Sequence, residues 1–395
     1  MSRKKAEGLV ERLFTQRAKT GRETLGIQTS VPLEGIINVG SGTPSFETPQ
    51  HIIEAAKVAL DEGYTKYTPW LGYTDLRQAI CAKLARDNGL RFNPETEIMV
   101  TTGTQEALTI TFQAFFEPGD EVILPSPHYN EYMRWAAVSG AKLIEVNTSE
   151  KNNFIVDPIE IEEKITDRTK MIALTTPNNP TGTVLPKETL EKIAQIAIEH
   201  DLIVLSDELY ERYIFEKYEH CSIAGMPGMA ERTIVVNGFS KTYAMTGFRV
   251  GYIAAPAPFI EGMLPIKHSI SICAPALSQR AALAALTGPQ GWWGEVIGDC
   301  TRRRQMWITA LDEMGLSYGT QMGSYVFFVS VSSLGATGSE FSRRLLEEER
   351  VRIGGGDGYG KGARDYVRAS LMVDDADLKE GLERMKRLVR KLQGD

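Results

Sequence analysis

The stretch NGFSKTYAMTGFRVG, residues 237–251, decides how the rest of the chain is interpreted. It follows an apolar run at 233–236 and leads directly into another apolar run. Ser240 and Lys241 lie on the predicted turn between these two buried strands, and Arg249 follows eight residues later. A lysine amine can form a Schiff base with an aldehyde, and a neighbouring hydroxyl and guanidinium can hold a phosphate. The stretch therefore predicts a site for a phosphorylated aldehyde.

Length and charge limit the possible functions of the chain. It has 395 residues, more than the roughly 250–300 residues at which a single hydrophobic core stops growing, so we expect two domains. A formal net charge of −7 argues against a nucleic-acid partner and against an anionic membrane surface. No apolar run approaches the ~20 residues that a membrane-spanning helix needs. These features predict a soluble protein with neither a nucleic-acid nor a membrane partner.

The cysteines and histidines follow no disulfide or metal-binding pattern. No C-x-x-C pair occurs, so we expect neither a disulfide framework nor a zinc site, and a reducing cytoplasm fits the chain. The five histidines lack metal-ligand spacing. His128 lies next to Tyr129 and could face a site, but a surface position fits it at least as well. The four cysteines are Cys81, Cys221, Cys273 and Cys300.

From residue 97 onward, short apolar runs alternate with stretches of helical spacing. The predicted strands cover 97–102, 121–125, 141–146, 171–176, 202–206 and 233–237. A helix over 186–200 separates two of them. Buried strands that alternate with helices indicate a mostly parallel sheet that is covered on both faces. After residue 256 the pattern becomes α+β, with strands at 324–331 and 365–372, and the N-terminal segment predicts a helix at 6–19.

Polar and reactive residues follow four of these strands, at the point where each strand ends. They are Gly103, Thr104 and Gln105; the PNNPTG turn at 177–182; Asp207 with Tyr210 close behind; and Ser240 with Lys241. Ligands of parallel sheets bind beyond the carboxyl ends of the strands, so we expect these groups to share one site. The helix that opens at Gly103 offers free N–H groups and a dipole that suit a phosphate. One such group alone would be an ordinary cap or turn, whereas four together indicate a ligand site.

Four ordered motifs resemble those of class I/II aminotransferases that depend on pyridoxal 5′-phosphate (PLP). The motifs are TPNNPTG (176–182), SDELY (206–210), SKTYAMTGFRVG (240–251) and YVRAS (366–370). The resemblance implies fold type I, an α/β fold with a mostly parallel seven-stranded-type sheet sandwiched by helices. It also implies a smaller α+β domain built from both chain ends, and a homodimer with shared active sites.

The resemblance also implies domain boundaries. Residues 1–45 would form an N-terminal arm and part of the small domain. Residues 46–280 would form the large PLP-binding domain, and residues 281–395 the C-terminal small domain.

Residues at matching positions resemble the groups that hold and use the cofactor. Lys241 resembles the lysine that forms the Schiff base, and Asp207 the carboxylate that pairs with the pyridine nitrogen. Asn179 and Tyr210 resemble the groups that hydrogen-bond the phenolic oxygen of the ring. Tyr129 resembles the aromatic residue that stacks on the ring. Lys241, Asp207 and Tyr210 are thus the expected catalytic residues.

The resemblance also assigns the two anion-binding ends of the site. The expected phosphate cup consists of Gly103, Thr104, Gln105, Ser240 and Arg249. Tyr67 resembles the tyrosine that reaches the phosphate from the other subunit. Arg368, Asn179 and the loop at Gly42 resemble the clamp on the substrate α-carboxylate. An arginine offers a planar, bidentate match to a carboxylate, and a side chain at Gly42 would obstruct the ligand.

The chemistry explains why these residue types are needed. An ionised Asp207 keeps the pyridine nitrogen protonated, because an opposite charge stabilises the charged form. The cofactor then withdraws electrons from the substrate. A neutral Lys241 can move a proton as general base and acid, and burial together with Arg249 would lower its pKa.

Two positions depart from the family pattern. Gln105 occupies a position where aspartate-type bacterial members often carry a lysine that reads a distal carboxylate. Gly238 stands where relatives often carry a phosphate-binding serine, so the cup would depend more on Ser240 and on backbone donors. A neutral amide at 105 tolerates aromatic, aliphatic or amide side chains. We therefore expect broad or neutral and aromatic specificity, with a 2-oxo acid such as 2-oxoglutarate or pyruvate as acceptor.

Other functions remain open on the sequence alone. A C–S β-lyase or a decarboxylase-like enzyme would share nearly every motif. A PLP-binding sensor domain of a regulator would need a basic helix-turn-helix extension, for which the short N-terminal segment leaves no room. A purely structural protein would not bind the cofactor at all. The glycine-rich GYGKGA (358–363) fits a dinucleotide pattern, but a loop that closes over substrate is the better interpretation, because no parallel strand precedes it.

Overall fold

The chain folds around three β-sheets in the computed structural model, which describes residues 12, 13, 15 and 35–394. The strands are β1 (Ile37–Asn38), β2 (Ile98–Thr101), β3 (Glu121–Ser126), β4 (Lys142–Asn147), β5 (Thr169–Thr175), β6 (Ile203–Asp207), β7 (Thr233–Gly238), β8 (Gly251–Ala254), β9 (Val326–Ser330), β10 (Val351–Arg352), β11 (Gly354–Gly355) and β12 (Tyr366–Ser370). The predicted helix at 6–19 falls, apart from residues 12, 13 and 15, outside the described residues.

Helices connect most of these strands. They are α1 (Gln50–Asp61), α2 (Thr74–Asn88), α3 (Gly103–Phe115), α4 (Glu131–Ser139), α5 (Pro158–Glu162), α6 (Lys187–Glu199), α7 (Ala257–Ser271), α8 (Ala276–Thr287), α9 (Trp293–Met314), α10 (Gly338–Glu349) and α11 (Asp375–Gln393). Side-chain caps fix some of their starts: Thr337 and Glu340 form a capping box at α10, and Asp374 accepts a hydrogen bond from the Asp377 amide at α11.

The central sheet has the strand order β2-β8-β7-β6-β5-β3-β4. Neighbouring strands from β7 to β4 run parallel, whereas β8 runs antiparallel to both β2 and β7. The carboxyl ends of β2, β5, β6 and β7 therefore lie at one edge of the sheet, and β8 begins at that edge. The predicted mostly parallel seven-stranded sheet is confirmed.

Apolar cores cover both faces of this sheet. The adjacent β6 residues Val204 and Leu205 belong to different cores, because successive side chains of a strand point to opposite faces. On one face Phe112 of α3 packs with Trp135 of α4, and on the other Ile193 of α6 joins the core. Strands that are buried on both sides explain the continuous apolar runs of the sequence.

The two ends of the chain meet in a second core. β1 pairs in parallel with β10, and β9, β11 and β12 form an antiparallel sheet. Ile37 and Val39 pack in the same core as Leu382 of α11, which supports a small domain built from both ends. This core also contains Tyr210, which lies within the range 46–280. The boundaries 1–45, 46–280 and 281–395 stay a prediction.

No helix in the described part of the chain combines the length and the apolar character that crossing a bilayer requires.

Candidate active site

A cavity of about 310 Å³ opens at the edge of the sheet where β2, β5, β6 and β7 end. Every sequence-predicted site residue lines it except Gly103 and Tyr67. These lining residues are Gly42, Thr104, Gln105, Tyr129, Asn179, Asp207, Tyr210, Ser240, Lys241, Arg249 and Arg368. The fold thus gathers groups that are up to 326 positions apart in sequence, from Gly42 to Arg368, into one site.

Lys241 lies half-buried in this cavity with its amine directed at the backbone of the Gly42 loop. Nζ donates a hydrogen bond to the carbonyl oxygen of Gly42 at 2.7 Å. Burial, together with the positive charges of Arg368 and Arg249, lowers the pKa of Lys241 to about 8, against the opposing effect of Asp207. An appreciable fraction of the amine is therefore neutral near pH 8, as a nucleophile or a base requires.

Asp207 ends β6 and is also buried. Burial raises its pKa to about 7; the backbone N–H of Leu209, at 3.3 Å, opposes this effect, and the neighbouring Glu208 adds to it. A cation placed against Asp207 would favour the ionised form. This carboxyl group is thus suited to pair with a protonated ring nitrogen.

The start of α3 forms the anion-binding end of the cavity. Gly103 has φ +77°, and a Cβ there would lie 2.5 Å from Nη2 of Arg249. Only glycine lets the guanidinium approach the free N–H groups of this helix so closely. Arg249 reaches this point because β8 begins at the same edge of the sheet. Gly103 therefore does not line the cavity but makes room for a group that does.

Gly238 shows why the usual serine is absent from its position. A Cβ on Gly238 would lie 3.0 Å from the Thr104 side chain and 3.2 Å from Cα of Gly251. Gly251 is equally restricted, because its own Cβ would lie 2.9 Å from the Thr104 amide nitrogen. The backbones of β7 and β8 thus approach the helix start directly, and Ser240 and Thr104 supply the hydroxyl groups.

Two side-chain atoms near the cavity are buried without a hydrogen-bond partner among the described residues: Oδ1 of Asn179 and Nε of Arg368. Arg368 is held at its other end, where Nη2 donates to the carbonyl oxygen of Gly40 at 2.8 Å. Buried polar atoms are normally paired, so these two indicate a ligand with polar groups at both places.

The Gly42 loop acts through its carbonyl oxygen, which accepts hydrogen bonds from Lys241 and, at 2.7 Å, from the hydroxyl of Tyr325. A Cβ on Gly42 would meet only Nη2 of Arg368, at 3.8 Å, so the protein itself leaves room there. Tyr210 packs edge-on against Tyr325 with ring centroids 5.2 Å apart. Burial raises the pKa of Tyr210 to about 12, so its hydroxyl stays a donor.

Some residues at the cavity gave no functional signal in the sequence. They are Thr43, Leu108, Trp135, Thr175, Leu209 and Thr246 in its lining, and Tyr325 beside it. Thr175 pairs with Asp207 across β5 and β6, so the strand-end rule could have found it. Leu108 and Trp135 looked like ordinary core residues because they also pack in the apolar core.

Two predicted positions need separate comment. Tyr67 is 80% exposed and does not line the cavity of its own chain. His128 is fully buried, so a surface position is wrong. Its ring lies between the Tyr129 carbonyl oxygen and Glu145. The sequence does not show these contacts, because Glu145 lies on the separate strand β4.

The geometry of this cavity agrees with the family that the chain matches. A family model for aminotransferases of class I and II matches residues 34–385. The chain belongs to this family of PLP-dependent enzymes, and its expected fold type I architecture and aminotransferase activity are confirmed.

Individual relatives are similar over nearly the whole chain. The aspartate aminotransferase of Pyrococcus abyssi is 41% identical over 360 residues, which cover 91% of this chain and 92% of the relative. The aromatic-amino-acid aminotransferase 2 of Thermococcus litoralis is 39% identical with the same coverage. The crystal structure of an aromatic aminotransferase from Pyrococcus horikoshii OT3 superposes with a TM-score of 0.88 at 42% identity, covering 90% of this chain and 97% of that chain.

Proposed function

We propose that this aminotransferase moves the amino group of an L-amino acid with a neutral or aromatic side chain to a 2-oxo acid in a ping-pong reaction, with PLP held at Lys241. The observation that carries the proposal is the set of three basic side chains in the cavity. Lys241, Arg249 and Arg368 suit an aldehyde, a phosphate and an α-carboxylate, respectively.

The residues present fit PLP at each of its polar groups. Gly103, Thr104, Ser240 and Arg249 would hold the phosphate at the start of α3. Asp207 would face the ring nitrogen, and its pKa of about 7 falls when a cation lies beside it. Asn179 and Tyr210 would bond the phenolic oxygen, and Tyr129 would cover the ring. The donor of Asn179 to that oxygen would be its Nδ2 amide group, because Oδ1 can only accept a hydrogen bond.

The protein's own groups then perform the proton transfer. When bound, PLP supplies the electron withdrawal that makes the α-proton of the substrate acidic. Nζ of Lys241, with its pKa lowered to about 8, takes and returns this proton as base and acid. Arg368, which lines the cavity, would bind the α-carboxylate through its guanidinium and so fix which bond to the α-carbon is broken.

The lining opposite these groups suggests the substrate side chain. Among the described lining residues, Lys241, Arg249 and Arg368 are the only lysines and arginines, so this lining offers no further cation to a distal carboxylate. Gln105 instead offers a neutral amide, and Thr43 and Thr246 offer hydroxyl groups. This set supports neutral and aromatic donors without excluding aspartate.

We further propose that the enzyme is a homodimer with shared active sites. Tyr67, Trp70 and Ile270 are 80%, 54% and 49% exposed, which is unusual for large apolar side chains. They belong to one surface, because Trp70 packs against His268 and the Thr68 amide donates to the sulfur of Cys273. Exposed apolar patches of this kind mark interaction sites, and a second copy would bring its Tyr67 to the phosphate end.

A panel of amino donors against 2-oxoglutarate and pyruvate tests the proposed activity. We expect L-phenylalanine and L-tyrosine to give a kcat/KM at least equal to that of L-aspartate. Gln105→Lys adds a cation at the cavity and should shift this ratio toward aspartate by about tenfold. Gln105→Met, which adds no charge, is the matched control.

Two results would contradict the proposal. One is a wild-type enzyme that strongly prefers L-aspartate over every neutral donor. The other is release of pyruvate and ammonia from a cysteine conjugate faster than any amino transfer, which would identify a C–S β-lyase.

A further inference from the structure

A buried histidine joins the loop that carries Tyr129 to a glycine-rich loop of the C-terminal half. His128 is fully buried, and its backbone N–H donates to the carbonyl oxygen of Tyr359 at 2.9 Å. Its ring lies with Nδ1 3.0 Å from the Tyr129 carbonyl oxygen and Nε2 3.3 Å from Oε1 of Glu145. Both ring nitrogens thus face oxygen atoms of neighbouring groups.

Glu145 fastens the glycine-rich loop, residues 356–363, to the central sheet. Its Oε1 accepts hydrogen bonds from the backbone N–H of Lys361 at 3.2 Å and from the hydroxyl of Ser126 at 3.3 Å, in addition to facing His128. The hydrogen bond from His128 lowers the pKa of Glu145, so the carboxylate stays ionised. One half-buried carboxylate therefore connects β3, β4 and this loop.

Gly360 is the residue that lets the loop lie so close. It has φ +107°, which side chains rarely allow. A Cβ there would lie 2.6 Å from Oε1 of Glu145 and closer still to the hydroxyl of Ser126. The loop is thus held at a fixed position on the end of β3.

The loop presents the ring of Tyr359 to Arg368. Cζ of Arg368 lies 5.8 Å from the centroid of this ring, within reach of a cation–π contact. The ring of Tyr359 also packs edge-on against Phe328, with centroids 6.1 Å apart, and Phe328 is the β9 residue that pairs with Arg368 in the sheet. Tyr359 is also close enough to Tyr129 and Tyr210 to contribute to their raised pKa, for which burial is the main cause.

We propose that Tyr359 is a positioning residue for the carboxylate clamp Arg368, and that the His128–Glu145 pair holds Tyr359 in place. The inference rests on the proposed function of Arg368. The Arg368 guanidinium has one hydrogen bond among the described residues, from Nη2 to the carbonyl oxygen of Gly40. One hydrogen bond alone does not fix the plane of the guanidinium. The ring of Tyr359 fixes its plane, so that the unpartnered Nε keeps its direction.

Ligand binding to the PLP-loaded enzyme tests this inference separately from turnover. The probe is α-methyl-L-phenylalanine, which has the carboxylate and amine of a substrate but no α-proton. Its binding is measured through the change in the cofactor's absorbance. Tyr359→Leu should raise its Kd by about tenfold, whereas Tyr359→Phe keeps the ring and should retain affinity. Glu145→Ala should raise the Kd for the probe about three- to tenfold. None of the three variants should change the Kd for PLP.

A double variant shows whether the pair acts through the ring. Tyr359→Leu combined with Glu145→Ala should bind the probe no more weakly than Tyr359→Leu alone, because both changes remove the same restraint. Glu162→Ala is the matched control: it removes an exposed glutamate that lies 3.4 Å from His200, and it should change nothing.

The inference fails if the two effects add, if Glu145→Ala leaves the Kd unchanged, or if PLP affinity falls by the same factor as probe affinity. If Glu145→Ala does not fold, Gly360→Ala displaces the loop by another route and should raise the Kd in the same way. A wild-type protein without amino transfer to any 2-oxo acid would instead overturn the proposed function itself.

Discussion

Burial shifts the pKa values of Lys241 and Asp207 in opposite directions, to about 8 and about 7. Without a ligand, burial disfavours the charged form of each side chain. A cationic ring bound between them would stabilise the ionised carboxylate of Asp207. The sequence allowed us to predict both residues and the direction of the lysine shift, because a motif fixes their identity and apolar neighbours imply burial. It could not reveal the roles proposed for His128 and Tyr359, because these depend on contacts between distant segments.

The raised pKa of Asp207 has a consequence for stability that can be measured. This carboxyl ionises above about pH 4 in the unfolded chain but only near pH 7 in the folded protein, so the free energy of unfolding falls as the pH rises between these values. Asn does not titrate. The free energy of unfolding of Asp207→Asn minus that of wild type should therefore increase by about 2–3 kcal/mol when the pH rises from 5 to 8.

Urea unfolding of the cofactor-free protein at the two pH values measures this difference. The same substitution at the exposed Asp61, at the end of α1, serves as control. A stability difference between Asp207→Asn and wild type that is equal at pH 5 and pH 8 would show that Asp207 is not the buried acid described above.

At the scale of elements, the site depends on where strands end. The alternation of apolar runs predicted the parallel strands, and the strand-end rule located Gly103, Asp207 and Lys241 at one edge. The direction of β8 could not be predicted, because an apolar run carries no information about which way it runs. That direction matters, since it brings Arg249 to the start of α3.

Loop positions were harder to predict than strands. The GYGKGA segment was interpreted as a loop and not as a dinucleotide site, and in the structure the antiparallel strand β11 precedes it and no long helix begins there. Its attachment to Glu145 through Gly360 and Lys361 was not predicted. Glycine spacing alone shows that a backbone is permitted to turn, and tertiary contacts decide where the turn is held.

At the scale of the whole molecule, the proposed dimer completes each active site. Tyr67 is exposed on its own chain, and in the dimer it would reach the phosphate bound by the partner. Chain length predicted two domains, and the pairing of β1 with β10 supports a small domain from both chain ends. The sequence gives no direct measure of assembly, because an exposed aromatic loop has the same composition whether or not a partner covers it.

Co-expression of two defective variants tests the shared site. Lys241→Ala lacks the amine, and Tyr67→Ala should lose activity at limiting PLP. In a mixed dimer, the intact Lys241 of one subunit meets the intact Tyr67 of the other. About a quarter of the wild-type sites should then be restored in a random mixture. Activity that equals only the sum of the separate variants, or a monomer by light scattering, would contradict the dimer.

The most direct test of the central claim is to locate the covalent attachment of the cofactor. Borohydride reduction of the PLP-loaded protein fixes the pyridoxal group on the amine that holds it, and peptide mass spectrometry identifies that amine. We predict the added mass on Lys241, and its loss together with all turnover in Lys241→Ala. Attachment at another lysine, or full activity in Lys241→Ala, would contradict the account.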